Sequence, residues 1–266
     1  MIAKGDGYEL RLGAYQDVMQ DVTCDLLCVD APYSEHTHSK QTYDRGTGYS
    51  DSHVTARGIG YEHWTPENVD EFCVFWSSRT RGWIVSITDS ELYPAWRDSL
   101  RAQGRYVFAP LPAFMPGMNV RLAGDGPSNW TCWIVVARPK TMKAWGTLSG
   151  GYTGSPGTGP DRGALAVVGA KPLWLIKAIT QDYSRHGQVV CDPCAGGGTT
   201  LRAAMETGRI AIGSEIDPVS WSKSATRLSA PVSQTDLDRA VFADAERRKI
   251  RHTPIRPAVQ PDLFGG

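Results

Sequence analysis

The chain has no long apolar run. Nothing in its 266 residues approaches the length needed to cross a bilayer, and the N-terminus shows no apolar stretch like the core of a signal peptide. The expectation is a protein that stays in the cytosol, away from membranes. Net charge is missing too: 28 Lys and Arg balance 28 Asp and Glu, so a nucleic-acid partner must be met by local clusters rather than overall sign. Such clusters exist at Arg79, Arg81, Arg97, Arg101 and Arg105, at Arg138, Lys140 and Lys143, and at Arg247, Arg248, Lys249 and Arg251. Each also reads as an ordinary solvated face.

Cysteine is sparse and poorly spaced for metal. The six residues lie at 24, 28, 73, 132, 191 and 194. Cytosolic thiols are kept reduced, which excludes a disulfide framework as the first reading. Cys191 and Cys194 form a single C-x-x-C, but no second pair or nearby histidine completes a zinc set. His36 and His38 likewise lack further ligands, so no metal is expected. There is no internal repeat. What is present, 41% apolar and 21% charged residues over 266, is the composition of one globular core.

Apolar stretches alternate with helical patterns, which favours an α/β fold with a parallel sheet and helices on both faces. Strands are expected at Asp25–Asp30, Trp83–Thr88, Arg105–Ala109, Cys132–Ala137, Gln188–Cys191 and Arg209–Gly213. Thr65 followed by Pro66 marks a helix start, running to Arg79. Further helices are expected over Tyr93–Gln103, from Lys171 onward, over Thr199–Glu206, Asp217–Leu228 and Thr235–Ile250. Residues 34–63 and 139–165 have no sustained period, and loops this long usually bind something or move. The first carries Lys40, Arg45, Arg57, Tyr43, Tyr49 and Tyr61, with Trp64 just beyond; both loops are candidates for contacting DNA. The expected organisation is one domain over 1–250 and a proline-bearing tail over 251–266.

Two turns carry the chemistry. Ala195-Gly196-Gly197-Gly198 follows a strand and opens a helix at Thr199; glycines admit a ligand to the backbone, and helix N–H groups favour anionic oxygens. A dinucleotide fingerprint wants a sixth-position glycine, and Leu201 stands there, which weakens a nicotinamide reading. Glu215 ends the following strand, where a carboxylate can take both ribose hydroxyls of a nucleoside. The other turn, Asp30-Ala31-Pro32-Tyr33, offers a carboxylate, a carbonyl and an aromatic face after a buried strand. A planar exocyclic amine such as adenine N6 is a poor nucleophile because its lone pair is delocalised. Acceptors at Asp30 and Ala31 could pull that nitrogen toward tetrahedral geometry, and Tyr33 could stack on the base.

The combination resembles the amino-methylating DNA methyltransferases. Asp30-Ala31-Pro32-Tyr33 is similar to their catalytic D-P-P-Y motif, with Ala31 replacing the first proline. Asp192-Pro193-Cys194-Ala195-Gly196-Gly197-Gly198-Thr199-Thr200 resembles their cofactor loop, and Lys171-Pro172-Leu173 the segment that lines the methionine end of the cofactor. The order, catalytic motif first, resembles the permuted β group. The resemblance implies a class I, Rossmann-like methyltransferase sheet, mostly parallel with one antiparallel strand. It implies S-adenosylmethionine as cofactor and double-stranded DNA as substrate. Asp30, Ala31, Pro32 and Tyr33 would be catalytic; Lys171, Pro172, Asp192, Pro193, Cys194, Ala195, Gly196, Gly198, Thr199, Thr200, Glu215 and Asp217 would hold the cofactor. Asp at the head of the motif tilts the expected target to adenine N6 in a flipped base, with cytosine N4 as the alternative. Near the end, Gln260-Pro261-Asp262-Leu263-Phe264 resembles the peptide by which bacterial proteins plug into the sliding clamp. A non-catalytic DNA-binding or clamp-binding protein with the same fold and a nicotinamide oxidoreductase are the other readings. Monomer and homodimer both stay open, as does a paired endonuclease.

Overall fold

Strand β3 (Cys24–Asp30) shows how the fold is layered. Leu26 and Cys28 point into one core, Leu27 and Val29 into another, as the two-residue period of a strand buried on both faces requires. The computed structural model describes residues 1–40, 63–118, 129–142, 145–156 and 169–252, without the side chains of 38–40 and 247–252.

Before β3 come a hairpin, β1 (Ile2–Gly5) and β2 (Tyr8–Leu12), and a short helix α1 (Tyr15–Val18). After it come α2 (Glu35–Lys40), α3 (Pro66–Ser77), β4 (Thr80–Thr88), α4 (Tyr93–Ala102), β5 (Arg105–Val107), β6 (Leu111–Phe114), β7 (Thr131–Pro139) and β8 (Tyr152–Thr153). The chain then runs through α5 (Leu173–Tyr183), β9 (Val189–Asp192), α6 (Thr199–Glu206), β10 (Ile210–Glu215), α7 (Pro218–Ser229) and α8 (Gln234–His252). Among the described residues all ten strands form one sheet in the order β1-β2-β10-β9-β3-β4-β7-β6-β8, with β5 also beside β7.

Five adjacent strands, β2, β10, β9, β3 and β4, are parallel. The expected antiparallel strand is β7, which lies against β4, β5 and β6. The hairpin strand β1 adds a second reversed strand at the far edge. Helices α1, α3 and α4 cover one face through Tyr15, Met19, Phe72, Trp76, Trp96 and Leu100. Helices α5, α6 and α7 cover the other through Ile176, Ile179, Leu201, Ala204 and Leu228. Helix α3 starts at a reciprocal cap: the Thr65 side chain accepts from the Asn68 backbone N–H, and the Asn68 side chain accepts from that of Thr65.

After β3 the chain passes through α3 to β4 on one side, and after β9 it passes through α6 to β10 on the other. The two strands are neighbours, paired through Leu26 with Val190 and Leu27 with Cys191. In an open parallel sheet a crevice opens beyond the strand ends at such a reversal. Here it lies between Asp30 and Asp192.

Several expectations change. The strand expected over Arg105–Ala109 ends at Val107, and the one over Trp83–Thr88 begins earlier, at Thr80. Residues 145–156 are packed rather than loose. Trp145 Nε1 donates to the Asp182 carbonyl (2.7 Å), the Tyr152 hydroxyl to the Asp182 carboxylate (2.8 Å), and Trp174 Nε1 to the Ser155 carbonyl (2.8 Å). Trp64 is half-buried and packs against the core, its ring 5.3 Å from Phe72 and 6.1 Å from Trp96. Lys40, Tyr43, Arg45, Tyr49, Arg57, Tyr61 and Lys143 lie outside the described side chains, as do Arg247, Arg248, Lys249 and Arg251.

Candidate active site at the sheet reversal

Asp30 ends β3 on the α5 side of the sheet, and its carboxylate is met by a cation from a distant segment. Lys171 Nζ stands 2.8 Å from both Asp30 oxygens, just before α5. The Tyr33 hydroxyl donates to Asp30 Oδ1 (3.3 Å) and touches Cys132 Sγ on β7 (3.7 Å). Burial pushes the Asp30 carboxyl above its ordinary range, and Lys171 and Tyr33 partly offset that rise. Ala31 is buried.

A residue with no local signal holds this turn. Asp89, just beyond β4, accepts from the Ser34 backbone N–H (2.9 Å), the Ser34 hydroxyl (2.6 Å), the Thr37 hydroxyl (2.6 Å) and the Leu92 backbone N–H (2.9 Å). Burial would raise its carboxyl, but these donors win and hold it below the usual range. The Trp64 N–H donates to the Tyr33 carbonyl (3.0 Å), closing the same turn from the other end.

Across the crevice, the glycine loop is tied down by its backbone. The Ala195 N–H donates to the Ser214 carbonyl (2.9 Å), the Gly198 N–H to the Ala195 carbonyl (2.7 Å), and the Cys194 N–H to Asp192 Oδ1 (3.0 Å). Gly198 sits at φ +74° as the N-cap of α6; a Cβ there would stand 2.3 Å from Ser224 Oγ. Gly196, at φ +51°, has nothing nearer than 3.9 Å to its absent Cβ, so its bare face lines open space. Glu215 ends β10 with Oε2 accepting from the Gly196 N–H (2.6 Å) and Oε1 from the Asp217 N–H (2.8 Å). With the Ile216 N–H as a third donor, the carboxylate's lone-pair sites still leave room for a hydroxyl. Asp217 caps α7 through the Ser220 N–H (2.8 Å).

Burial pushes the Asp192 carboxyl up to about 7; the Thr200 side chain and Cys194 N–H oppose that, while Asp30 and Glu215 add to it. Glu215 is also raised, chiefly by burial, against its backbone donors. Three carboxyls therefore crowd one crevice, an arrangement that suits a cationic ligand. Pro193 turns the chain after β9 and its carbonyl accepts from the Ser214 hydroxyl (3.0 Å); Thr199 and Thr200 are buried in the first turn of α6. Pro172 is the N-cap of α5. The residues singled out in the sequence thus stand around one crevice, and Lys171 reaches the Asp30 carboxylate itself.

The first basic cluster does not converge there. Arg79, Arg81 and Arg105 lie at the start of β4 and beside it, at the strand ends opposite Asp30. Arg105 is 5% exposed and donates to the Gly82, Ser77 and Thr80 carbonyls; Arg81 pairs with Asp25, and Arg97 with Asp98. Arg138 belongs to the same end of the strands, opposite Tyr106.

Comparison with known proteins follows the same geometry. Residues 164–222, from before α5 into α7, match the DNA methylase family model for N6- and N4-type enzymes. No curated protein sequence matches. Among solved structures, the complex of M1.HpyAVI with SAM superposes with a TM-score of 0.63 at 16% identity, covering 84% of this chain and all of that one. The Thermus thermophilus protein TTHA0409, complexed with S-adenosyl-L-methionine, gives 0.57 at 18% identity, covering 83% and 92%. The cytosine-N4-specific PvuII DNA methyltransferase gives 0.59 at 12% identity, covering 91% and 93%. The fold is the class I methyltransferase fold, and both routes lead to the resemblance carried by the two turns.

Proposed function

We propose that this chain, with its class I methyltransferase fold and a DNA-methylase segment at 164–222, transfers a methyl group from S-adenosylmethionine to an exocyclic amine of a DNA base. One observation carries the reading: Asp30 and the Gly196–Glu215 pair stand at the ends of strands that adjoin at the sheet reversal. The residues fit the cofactor. Gly196 presents bare backbone, Glu215 keeps acceptor sites for a ribose, and the crowded carboxyls favour a positive group. When bound, the cofactor supplies an activated methyl on a sulfonium.

The chain's own residues do the rest. Asp30 accepts a hydrogen from the amine, and the carbonyl at Ala31 accepts the second, which frees the nitrogen lone pair and stabilises the charge that grows on it. Tyr33 offers its ring face to the base, a contact worth about 1–3 kcal/mol. Extruding that base costs a few kcal/mol, offset by contacts beside the pocket. Neither Cys28 nor Cys132 is needed as a nucleophile; burial holds both thiols protonated.

Within this reading adenine N6 is the proposed target, because the motif opens with Asp30. The likeness to a cytosine-N4-specific enzyme keeps N4 as the second reading. The proposed clamp contact through Gln260, Leu263 and Phe264 lies outside the described residues and rests on the sequence alone. The test is methyl transfer from labelled cofactor to duplex DNA, followed by nucleoside chromatography. Label in N6-methyl-2′-deoxyadenosine is expected. Label in N4-methyl-2′-deoxycytidine would reassign the target, and no label in any DNA tested would leave a binding protein with an enzyme's fold.

A further inference from the structure

Lys171 makes contacts that together mark out one place in the crevice. Its Nζ is 2.8 Å from each Asp30 oxygen, 3.2 Å from the Gly169 carbonyl and 4.7 Å from the centre of the Tyr33 ring. On the methyl-transfer reading, an incoming amine needs the same carboxylate and its base the same ring. The geometry points to Lys171 as a positioning residue that occupies the amine's place in the free protein, keeps Asp30 charged and aimed, and gives way to the entering base. The inference rests on the methyl-transfer reading for the first and last of these three roles; the second, keeping Asp30 charged and aimed, stands without it.

The physical need is plain. A buried carboxylate without a counter-ion takes up a proton, and a protonated Asp30 would turn a donor toward an amine that also donates. The groups facing Asp30 are Tyr33 from its own turn, Cys28 from its own strand, Cys132 from β7, and Asp192 and Cys194 from the β9 turn. Asp192 opposes its ionisation and the thiols do not compensate. Lys171 supplies the cation in this set.

Departure is equally required. The amine becomes positive as it is methylated, and an ammonium left against Asp30 would oppose that charge. Pro172 restricts the backbone at Lys171 to extended conformations, whereas the four-carbon stem can swing. An arginine fork would grip both oxygens and release them less readily.

The test uses the whole protein with 13C-labelled Asp carboxyls, with Asp30→Asn identifying the resonance. In Lys171→Met the Asp30 carboxyl is expected to titrate at least about one pH unit higher than in wild type, a tenfold gain in proton affinity. The acidic limb of single-turnover methyl transfer should move with it. Lys171→Arg should restore the midpoint and leave the limb in place but slow the turnover. Should the methionine variant fail to fold, Lys171→Gln serves in its place. An unmoved Asp30 midpoint in the neutral variant overturns the inference, and so does a moved midpoint with an unmoved acidic limb. A wild type that methylates no DNA, alongside a moved midpoint, sinks the methyl-transfer reading while the counter-ion role stands.

Discussion

The two turns that face each other across the crevice are held by different means. The turn at 30–37 depends on side-chain carboxylates: Asp89 gathers Ser34 and Thr37, and Asp30 is held by Lys171 and Tyr33. The glycine loop, 192–198, combines backbone–backbone bonds and left-handed glycines with two carboxylates, Asp192 and Glu215, that accept from its N–H groups. The first grip runs through side-chain hydroxyls and a cation and answers to charge-changing substitutions; the second answers to steric change as well. The first suits a site that must exchange partners, the second a cradle that must keep its shape.

The largest test of that contrast is Asp30→Ala. Methyl transfer should fall by about a thousandfold or more, because the substitution removes a preorganised acceptor from the reacting amine. Binding of S-adenosylhomocysteine, followed by calorimetry, should survive; loss of both would mean that the two turns are not separately held. Gly198→Ala attacks the other side. A left-handed residue gains a Cβ 2.3 Å from Ser224 Oγ, so urea unfolding should show a loss of about 2 kcal/mol, with weakened cofactor binding.

Asp89→Asn should cost about 1–2 kcal/mol, since a neutral amide cannot satisfy four donors as a carboxylate does. Its mark should be lower turnover with unchanged cofactor affinity. Because Asp89 is held below its unfolded range, its contribution is present at neutral pH and fades as acid protonates it. Asp192 works in the opposite sense. Its carboxyl, at about 7 in the fold and near its ordinary acidic value when unfolded, binds a proton in the native state across the interval between them. Stability should therefore fall as pH rises through that interval, by about 1 kcal/mol between pH 6 and 7. Asp192→Asn should flatten this slope in denaturant titrations; an unchanged slope would assign it to other groups.

The central strands and most helices were legible because their signals are local. Thr65-Pro66 announces α3, and the run Asp25–Asp30 is apolar enough to be a strand buried on both faces. The hairpin of β1 and β2 was not, since Leu10 is its one fully buried apolar side chain and no period stands out. Pro112 inside β6 reads as a turn, and β8 is two residues long. At the site, both motifs were readable, but the grips on them were not. Asp89 lies 55 residues from Ser34 and Lys171 lies 141 from Asp30, separations over which no spacing rule operates. Adjacency in the chain likewise groups Arg79, Arg81 and Arg105, which the fold sets at the strand ends opposite the crevice.

The pairing of β3 with β9 has a consequence for how the molecule comes to exist. Leu26 and Leu27 meet Val190 and Cys191 only after nearly the whole chain between them has been brought to heel, and a closure over so long a span is entropically slow. The hairpin, the α3–β4 unit and the α6–β10 unit can each take shape from near neighbours. The crevice cannot: it opens on a seam between segments far apart in the chain, so a half-folded chain should lack it.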